Sequence, residues 1–323
     1  MKQNPFLFVV GCPRSGTTLL QRMLDSHPQL AVANDTHFIP KVALDFPDET
    51  DPPLTAELID RVRAYHRFPR LGLPEDALAR AASKASTYSQ LVCELYSEFA
   101  SLKGKPFGGE KTPDYVRQLP RLHRLFPWAK IIHIIRDGRD VALSALQWAK
   151  DGKGPSHFEL WAEEPAAVCA LWWEWQVSTG RREGLVWGAQ VYREIKYEDL
   201  VAYPEESLRT LASFLELPFA VEMLAFHEGK TRQKPGLSAK SAWLPPTQGL
   251  RDWKTQMSAR DVALFEALAG DLLATLGYER VAAERFSPEI REVADRCRVW
   301  WDSEMAKREA KRKKLLAGAL VVS

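Results

Sequence analysis

The stretch Gly11-Cys12-Pro13-Arg14-Ser15-Gly16-Thr17-Thr18 carries the clearest chemistry in this chain. Two glycines five positions apart let the backbone wrap so that its N–H groups converge on an anion, and a following helix adds the partial positive charge of its N-terminus. The spacing is that of the nucleoside-triphosphate loop GxxxxGK[ST], but Thr17 stands where the lysine belongs. Nothing in the loop then reaches the β- and γ-phosphates of a triphosphate, and Arg14 offers its charge from inside the loop instead. A second anion site follows the apolar run Ile131 to Ile135, which delivers Arg136 first, where an NTPase would place an aspartate for magnesium. Arginine binds phosphate directly and repels a metal ion. Two phosphate sites without an evident metal site suggest a nucleotide with separate phosphates at its two ends.

These residues need rigid elements to position them. Phe6 to Val10 is continuously apolar and ends at Gly11, as expected of a strand buried on both faces of a parallel sheet. Leu19, Leu20, Met23 and Leu24 then recur at helical spacing until His27 and Pro28. A second strand from Lys130 to Ile135 leads through Asp137, a helix cap, into a helix carrying Val141, Leu143 and Leu146 and ending near Lys150. A third strand, Val191 to Tyr197, passes through Pro204 into a helix with Leu208, Leu211 and Leu215. Strands alternating with helices define an α/β fold of P-loop type, with a mainly parallel sheet flanked by helices on both faces.

Between the first two units, Asp48 to Lys103 is polar and alanine-rich and reads as a helical insertion without a strand. Trp161 to Arg182 reads as a long helix. Ser258 with Asp261 forms a capping box, Val262, Phe265, Leu268, Leu272 and Leu276 share one helix face, and Gly277 ends that helix. Ser287-Pro288 opens a last helix that runs through Ile290, Val293, Cys297 and Trp301 into a basic run, Lys307 to Lys314, and an apolar tail, Leu315 to Val322. The chain thus divides into an α/β domain over 1–280 and a C-terminal helical extension over 281–323.

With 323 residues, 46% hydrophobic and 27% charged, the chain can bury one large core or two smaller ones, which excludes disorder, collagen and small disulfide scaffolds. Its 44 basic against 42 acidic residues leave a net charge of +2, so no whole-molecule field points to nucleic acid or an anionic membrane. The basic C-terminal run reads as a solvated helix face in preference to a membrane contact. Cys12, Cys93, Cys169 and Cys297 lie far apart, and Phe6 to Val10 is too short for a signal-peptide core or a membrane span, so a cytoplasmic protein is expected.

The pair PRSGTT (Pro13 to Thr18) and RDGRDVALS (Arg136 to Ser144) resembles the sulfotransferases that use 3′-phosphoadenosine 5′-phosphosulfate (PAPS), most of all the bacterial branch related to protein-tyrosine sulfotransferases. The resemblance extends to Gly109-Glu110-Lys111-Thr112-Pro113, to Tyr197-Glu198-Asp199-Leu200, and to Gly249 through Trp253 followed by Gly277-Tyr278. It implies that Arg14, Ser15, Gly16, Thr17 and Thr18 hold the 5′-phosphosulfate, that Arg136 and Ser144 hold the 3′-phosphate, and that Tyr197 fixes the nucleotide. Gly249 and Lys254 complete the implied nucleotide site. Cytosolic relatives carry an Arg-Lys-Gly triplet on the 3′-phosphate, where this chain has Thr247, Gln248 and Gly249. The lost charge is recovered only if Lys240, Arg251 or Lys254 swings in.

Sulfuryl transfer proceeds in line between two oxygens, so the protein mainly positions partners and neutralises charge. The resemblance makes Lys111, in the GEKTP loop, the stabiliser of the leaving phosphate, with Arg14 and the loop amides sharing the charge and no metal required. The expected acceptor is a hydroxyl of a small molecule or metabolite, with a protein tyrosine as another option, and its proton must be removed. In Asn34-Asp35-Thr36-His37 the tyrosine-sulfating relatives place glutamate at Asp35 and arginine at His37. Both side chains qualify as the base, with Asp35 the first choice.

Plainer readings stand beside these. Without the resemblance Lys111 reads as a solvated loop lysine, Asp35 as a helix or turn cap, His37 as a ring packed beside Phe38 and Ile39, and Glu110 as the partner of a loop arginine. His133 reads as structural, and Trp148, Trp161, Trp172, Trp173 and Trp175 as core before they read as an acceptor pocket. For the whole chain the alternatives are a P-loop kinase with an altered loop and a nucleotide-binding protein without catalysis. The C-terminal helix offers a homodimer contact.

Overall fold

The computed structural model describes residues 3–47, 50–149, 154–228, 245–247, 249, 251–281 and 286–320. Along the chain, β1 (Leu7–Val10) leads into α1 (Thr17–Asp25), β2 (Leu30–Asn34) and α2 (Phe38–Val42). Helices α3 (Ala56–Ala64), α4 (Ala77–Ala82) and α5 (Tyr88–Leu102) fill the region expected to be a helical insertion, before β3 (Phe107–Lys111) and α6 (Leu119–Leu125). Then follow β4 (Lys130–Ile135), α7 (Gly138–Ala149), α8 (Pro165–Gly184), β5 (Tyr192–Lys196), α9 (Tyr197–Ala202) and α10 (Pro204–Phe214). The chain ends with α11 (Trp253–Gln256), α12 (Ala259–Thr275) and α13 (Pro288–Leu320). The expected segment ends Asp48, Lys150 and Val322 lie outside the described residues.

The residues pack as two compact units. The first comprises Met1–Gly11, Gly16–Ile134 and Gly180–Thr247 and holds the sheet, whose parallel strands run in the order β2-β3-β1-β4-β5. Register places Val9 opposite both Lys111 and Ile132, and Asn34 opposite Lys111. Alternate strand residues face opposite sides, and both sides are buried. Phe8, Val10, Ala31, Ala33 and Ile131 pack with side chains of α2 to α6, whereas Leu7, Val9, Leu30, Val32, Ile132 and Ile134 pack with those of α1, α9 and α10. The expected α/β architecture is therefore present.

Two strands are illegible in the sequence. Leu30–Asn34 is short and alanine-rich, and Phe107–Lys111 contains Gly108-Gly109, residues depleted in strands. The glycine has a steric reason, since a Cβ on Gly108 would come within 2.5 Å of the Tyr96 carbonyl oxygen. This corrects the placement of Lys111, which is the last residue of a strand and not part of a loop.

The second unit comprises Cys12–Ser15, Ile135–Thr179 and Gln248–Ser323. Its core joins Val141 and Ala145 of α7, Trp172 and Trp173 of α8, Leu264 and Phe265 of α12, and Ile290, Cys297 and Trp301 of α13. Trp172 and Trp173 are thus core residues, and the Trp173 indole donates to the Arg136 carbonyl at 3.1 Å. Asp137 caps α7 as expected, accepting the Arg139 N–H at 2.9 Å. The Arg139 guanidinium is buried between the Asp137 and Glu266 carboxylates, 3.5 Å from the centre of the Trp253 ring. Ser258 accepts the Asp261 N–H at 3.1 Å, so the capping box opens α12 where the sequence places it. Among the described residues no helix is long and apolar enough to cross a membrane.

Helix α13 changes character along its length. Trp301 packs against Phe158 with ring centroids 4.8 Å apart, while Lys307 and Lys311 to Lys314 are exposed. Trp301→Ala should therefore cost roughly 3–5 kcal/mol of stability and Lys311→Ala less than about 0.5 kcal/mol. Denaturant unfolding of the two variants against the parent checks this difference.

Candidate active site

In the first unit, the C-terminal ends of β1, β2 and β3 bring three sequence-predicted residues together. Lys111 is fully buried, and its Nζ lies 2.9 Å from Asp35 Oδ1 and 3.4 Å from Thr18 Oγ1. The position follows from register, because Asn34 pairs with Lys111, so Asp35 leaves the sheet one residue later and donates its N–H to the Lys111 carbonyl at 2.7 Å. Removing an ammonium from water costs several kcal/mol unless a counter-charge is in place. Asp35 supplies that charge, and its own carbonyl accepts a hydrogen bond from Arg70 Nη1 at 3.1 Å. Lys111 is therefore not a solvated lysine.

Glu110 precedes Lys111 and, by strand alternation, faces the other way. It accepts from Tyr96 Oη at 2.7 Å, from the Thr36 N–H at 3.0 Å and from the Thr112 hydroxyl. Burial raises its pKa, and these donors oppose the rise. Glu110 thus fastens the Asp35-Thr36-His37 turn to β3, in place of the pairing with a loop arginine that the sequence also allows.

The His37 Nε2 lies 3.9 Å from Asp35 Oδ1. Burial, reinforced by the charge of Arg67, pushes its pKa down to about 4, against the opposing pull of Asp114 and Asp35. At neutral pH the ring is uncharged and able to accept a proton. Four non-glycine residues of the described chain have left-handed backbone, and three are Arg14 (φ 80°), Asp35 (φ 58°) and His37 (φ 60°). Such conformations cost of order 1–3 kcal/mol each and cluster where function requires them.

The first unit also contains the second half of the anion loop. Helix α1 starts from Gly16 with no side-chain cap and no acidic residue in its first turn, so Thr17 and Thr18 open an uncapped helix N-terminus. Gly16 has φ 90°, and a Cβ there would come within 2.3 Å of the Tyr197 ring. The buried Tyr197 therefore closes over the loop backbone. His133 is structural, as expected, with Nδ1 2.5 Å from Tyr192 Oη and its pKa lowered to about 3 by burial.

The second unit contains the first half of the loop. The Ser15 N–H bonds to the Cys12 carbonyl at 3.1 Å, while Ser15 Oγ is buried without a hydrogen-bond partner. The Arg14 Nε donates to Ser144 Oγ at 2.9 Å, and its guanidinium lies 5.7 Å from the centre of the Trp148 ring. Arg14, assigned by resemblance to the 5′-phosphosulfate, is thus joined to a residue assigned to the 3′-phosphate. Arg136 Nη2 donates to Asp140 Oδ2 at 3.1 Å. Burial first, then the charges of Arg251 and Arg136, lower the Arg14 pKa.

The structure places Lys254 on the surface, its Nζ bound to Glu279 at 2.7 Å. Gly249 sits in a turn at φ 72°. Lys240 and Gln248 lie outside the described residues. Sequence reasoning misses Asp140 and Gln147, although Asp140 lies inside RDGRDVALS and its spacing of four from Ser144 puts both on one helix face. In the second unit, the orphaned Ser15 hydroxyl and arginines whose charges bear on one another fit an anionic ligand.

This chain belongs to the sulfotransferase family, whose family model matches residues 5–221. It is 26% identical over 287 residues to protein-tyrosine sulfotransferase 1 of Danio rerio, covering 86% of this chain and 73% of that protein. Against protein-tyrosine sulfotransferase 1 of Homo sapiens the identity is 27% over 288 residues, covering 87% and 71%. The fold is shared with the sulfotransferase domain of the Synechococcus PCC 7002 olefin synthase, with TM-score 0.57, 21% identity and coverage of 86% and 96%. It is also shared with the sulfotransferase domain of the curacin biosynthetic pathway, with TM-score 0.54, 22% identity and coverage of 85% and 98%. The protein is a sulfotransferase.

The His37 ring should titrate in an NMR experiment with a midpoint near pH 4. Because this lies below its ordinary value of 6.5, the unfolded chain binds the proton first. The stability linked to the ring is therefore complete above pH 6.5 and is lost as pH falls toward 4. Urea unfolding of His37→Gln should lose that part of the acid-side slope.

Proposed function

We propose that this sulfotransferase moves a sulfuryl group from PAPS to a hydroxyl of a small-molecule acceptor. The observation that carries the reading is the 3.4 Å approach of Lys111 Nζ to Thr18 Oγ1. The ammonium absent from the loop at Thr17 is restored from β3, beside the first turn of α1. There it neutralises the charge that grows on a phosphate oxygen as the bond to sulfur breaks. PAPS supplies the activated sulfuryl group. The loop amides with Ser15, Thr17 and Thr18 bind its 5′ end, Tyr197 backs the loop, and Arg136 with Ser144 binds its 3′-phosphate.

The acceptor proton passes to the Asp35–His37 pair. Asp35 holds Lys111 in place, and His37 is uncharged at neutral pH, so both remain competent for the transfer. A P-loop kinase is disfavoured by Thr17 in the loop and by Arg136 after β4. A binding protein without catalysis would have no need of a buried, strained Lys111–Asp35–His37 cluster. The names of the relatives favour a second acceptor, a protein tyrosine, which presents the same oxygen nucleophile. Four cysteines, all free thiols, support the proposal of a reducing, cytoplasmic setting.

The test is a thermal-shift titration with 3′-phosphoadenosine 5′-phosphate (PAP) against 5′-AMP, ADP and ATP, with and without magnesium. PAP at a hundred times its dissociation constant should stabilise by about 2.7 kcal/mol independently of magnesium, whereas a response to ATP with magnesium alone would overturn the donor assignment. In a labelled-PAPS assay offering phenols and a tyrosine peptide, Lys111→Ala should lower transfer at least ~10²-fold while PAP still binds. Because that change leaves Asp35 buried without its counter-charge, the double variant Lys111→Met/Asp35→Asn serves as the folding control.

A further inference from the structure

Helix α13 is packed for only part of its length. Ile290, Ala294, Cys297 and Trp301 recur at helical spacing and are buried in the core of the second unit. Arg308 continues that stripe, its guanidinium 4.4 Å from the centre of the Phe158 ring. Beyond it the helix leaves the core, and every residue over 309–315 is exposed. A helix in a protein draws most of its stability from an apolar face packed on its surroundings. That support is missing over these residues.

The same stretch concentrates charge. Six of the eight residues over 307–314 are basic and one is acidic, a local charge of +5 in a chain whose net charge is +2, so the rest of the chain is net negative. Lys307, Lys311 and Lys314 are spaced four and three residues apart and share one helix face. Other cations of α13 have carboxylate partners, Arg308 with Glu304 at 2.8 Å and Arg298 with Glu174 at 2.5 Å. Among the described residues, none of Lys307, Lys311, Lys313 and Lys314 has an ion pair or a side-chain hydrogen bond. Like charges at this spacing weaken a helix. The run is solvated, as the sequence reading expects, and its charge is unanswered within the chain.

The residues after the lysines decide what kind of anion answers it. Leu315, half exposed, and Leu316 follow Lys314 directly, and the sequence carries no charge over 315–322. Cations followed by apolar side chains match a bilayer surface, where charged headgroups lie over acyl chains. A nucleic acid would meet the lysines but leave the leucines in water, and no aromatic residue follows Trp301 to stack on its bases.

We infer that residues 307–316 of α13 dock on an anionic lipid surface, with the lysine face at the headgroups and the two leucines at the acyl boundary. The helix lies on the bilayer, since no helix among the described residues is long and apolar enough to cross one. The inference does not depend on which donor or acceptor the enzyme uses.

Co-sedimentation of the full chain with phosphatidylcholine vesicles, with and without about 30% phosphatidylserine, tests it. At about 0.15 M salt the chain should pellet only with the anionic vesicles. Each lysine at such a surface contributes about fivefold in affinity, so Lys307→Glu/Lys311→Glu/Lys314→Glu should weaken binding at least ~10²-fold with an unchanged unfolding midpoint. Leu315→Ser/Leu316→Ser should weaken it about tenfold or more. Equal pelleting with both vesicle types, or with neither, overturns the inference, as does either variant pelleting like the parent. Tighter binding to a short DNA duplex than to the anionic vesicles overturns it as well.

Discussion

A lysine can remain charged at the buried end of a parallel sheet only if a counter-charge is built in beside it, and here that counter-charge is Asp35 at 2.9 Å. Much of the first unit's local structure serves this pair. Gly108 in β3 lets the strand lie close to α5, register carries Lys111 to the strand end, and Glu110 pins the turn that follows β2. The turn is held in left-handed backbone at Asp35 and His37, which places the carboxylate on the ammonium and the imidazole beside both. The ion pair is also tied to the anion loop, since its cation reaches Thr18 in the first turn of α1.

The second unit holds its arginines in two different ways. Arg139 is fully neutralised by Asp137 and Glu266, and it serves as a floor for Trp253. Arg14 is held by a neutral hydroxyl instead of a carboxylate, and the charges of Arg136 and Arg251 bear on it. Two buried carboxylates cancel the charge of Arg139, whereas the Ser144 hydroxyl orients Arg14 without cancelling it.

Several features are legible in the residues alone. The anion loop, the apolar runs of β1 and β4, the Asp137 cap and the Ser258 capping box each depend on residues within a few positions of one another, and each lies where its local pattern puts it. The P-loop-type α/β class follows from their alternation. Strands β2 and β3 are not legible, because alanine and glycine carry little strand signal and their burial is imposed by neighbouring strands. The pairing of Lys254 with Glu279 is illegible for a related reason, since nothing local indicates that these two side chains will meet.

What the sequence determined by itself was therefore the loop with its missing lysine, the arginine after β4, and the elements that carry them, all products of short-range backbone chemistry. The tertiary structure decided which charges meet. Lys111 and Asp35 are 76 positions apart, and Arg14 and Ser144 are 130 apart. Whether a lysine is solvated or buried against an acid, and whether an arginine is cancelled or left for a ligand, depends on sheet order, register and the helix face it meets. Those are set by the packing of the whole chain, so no local pattern of residues encodes them.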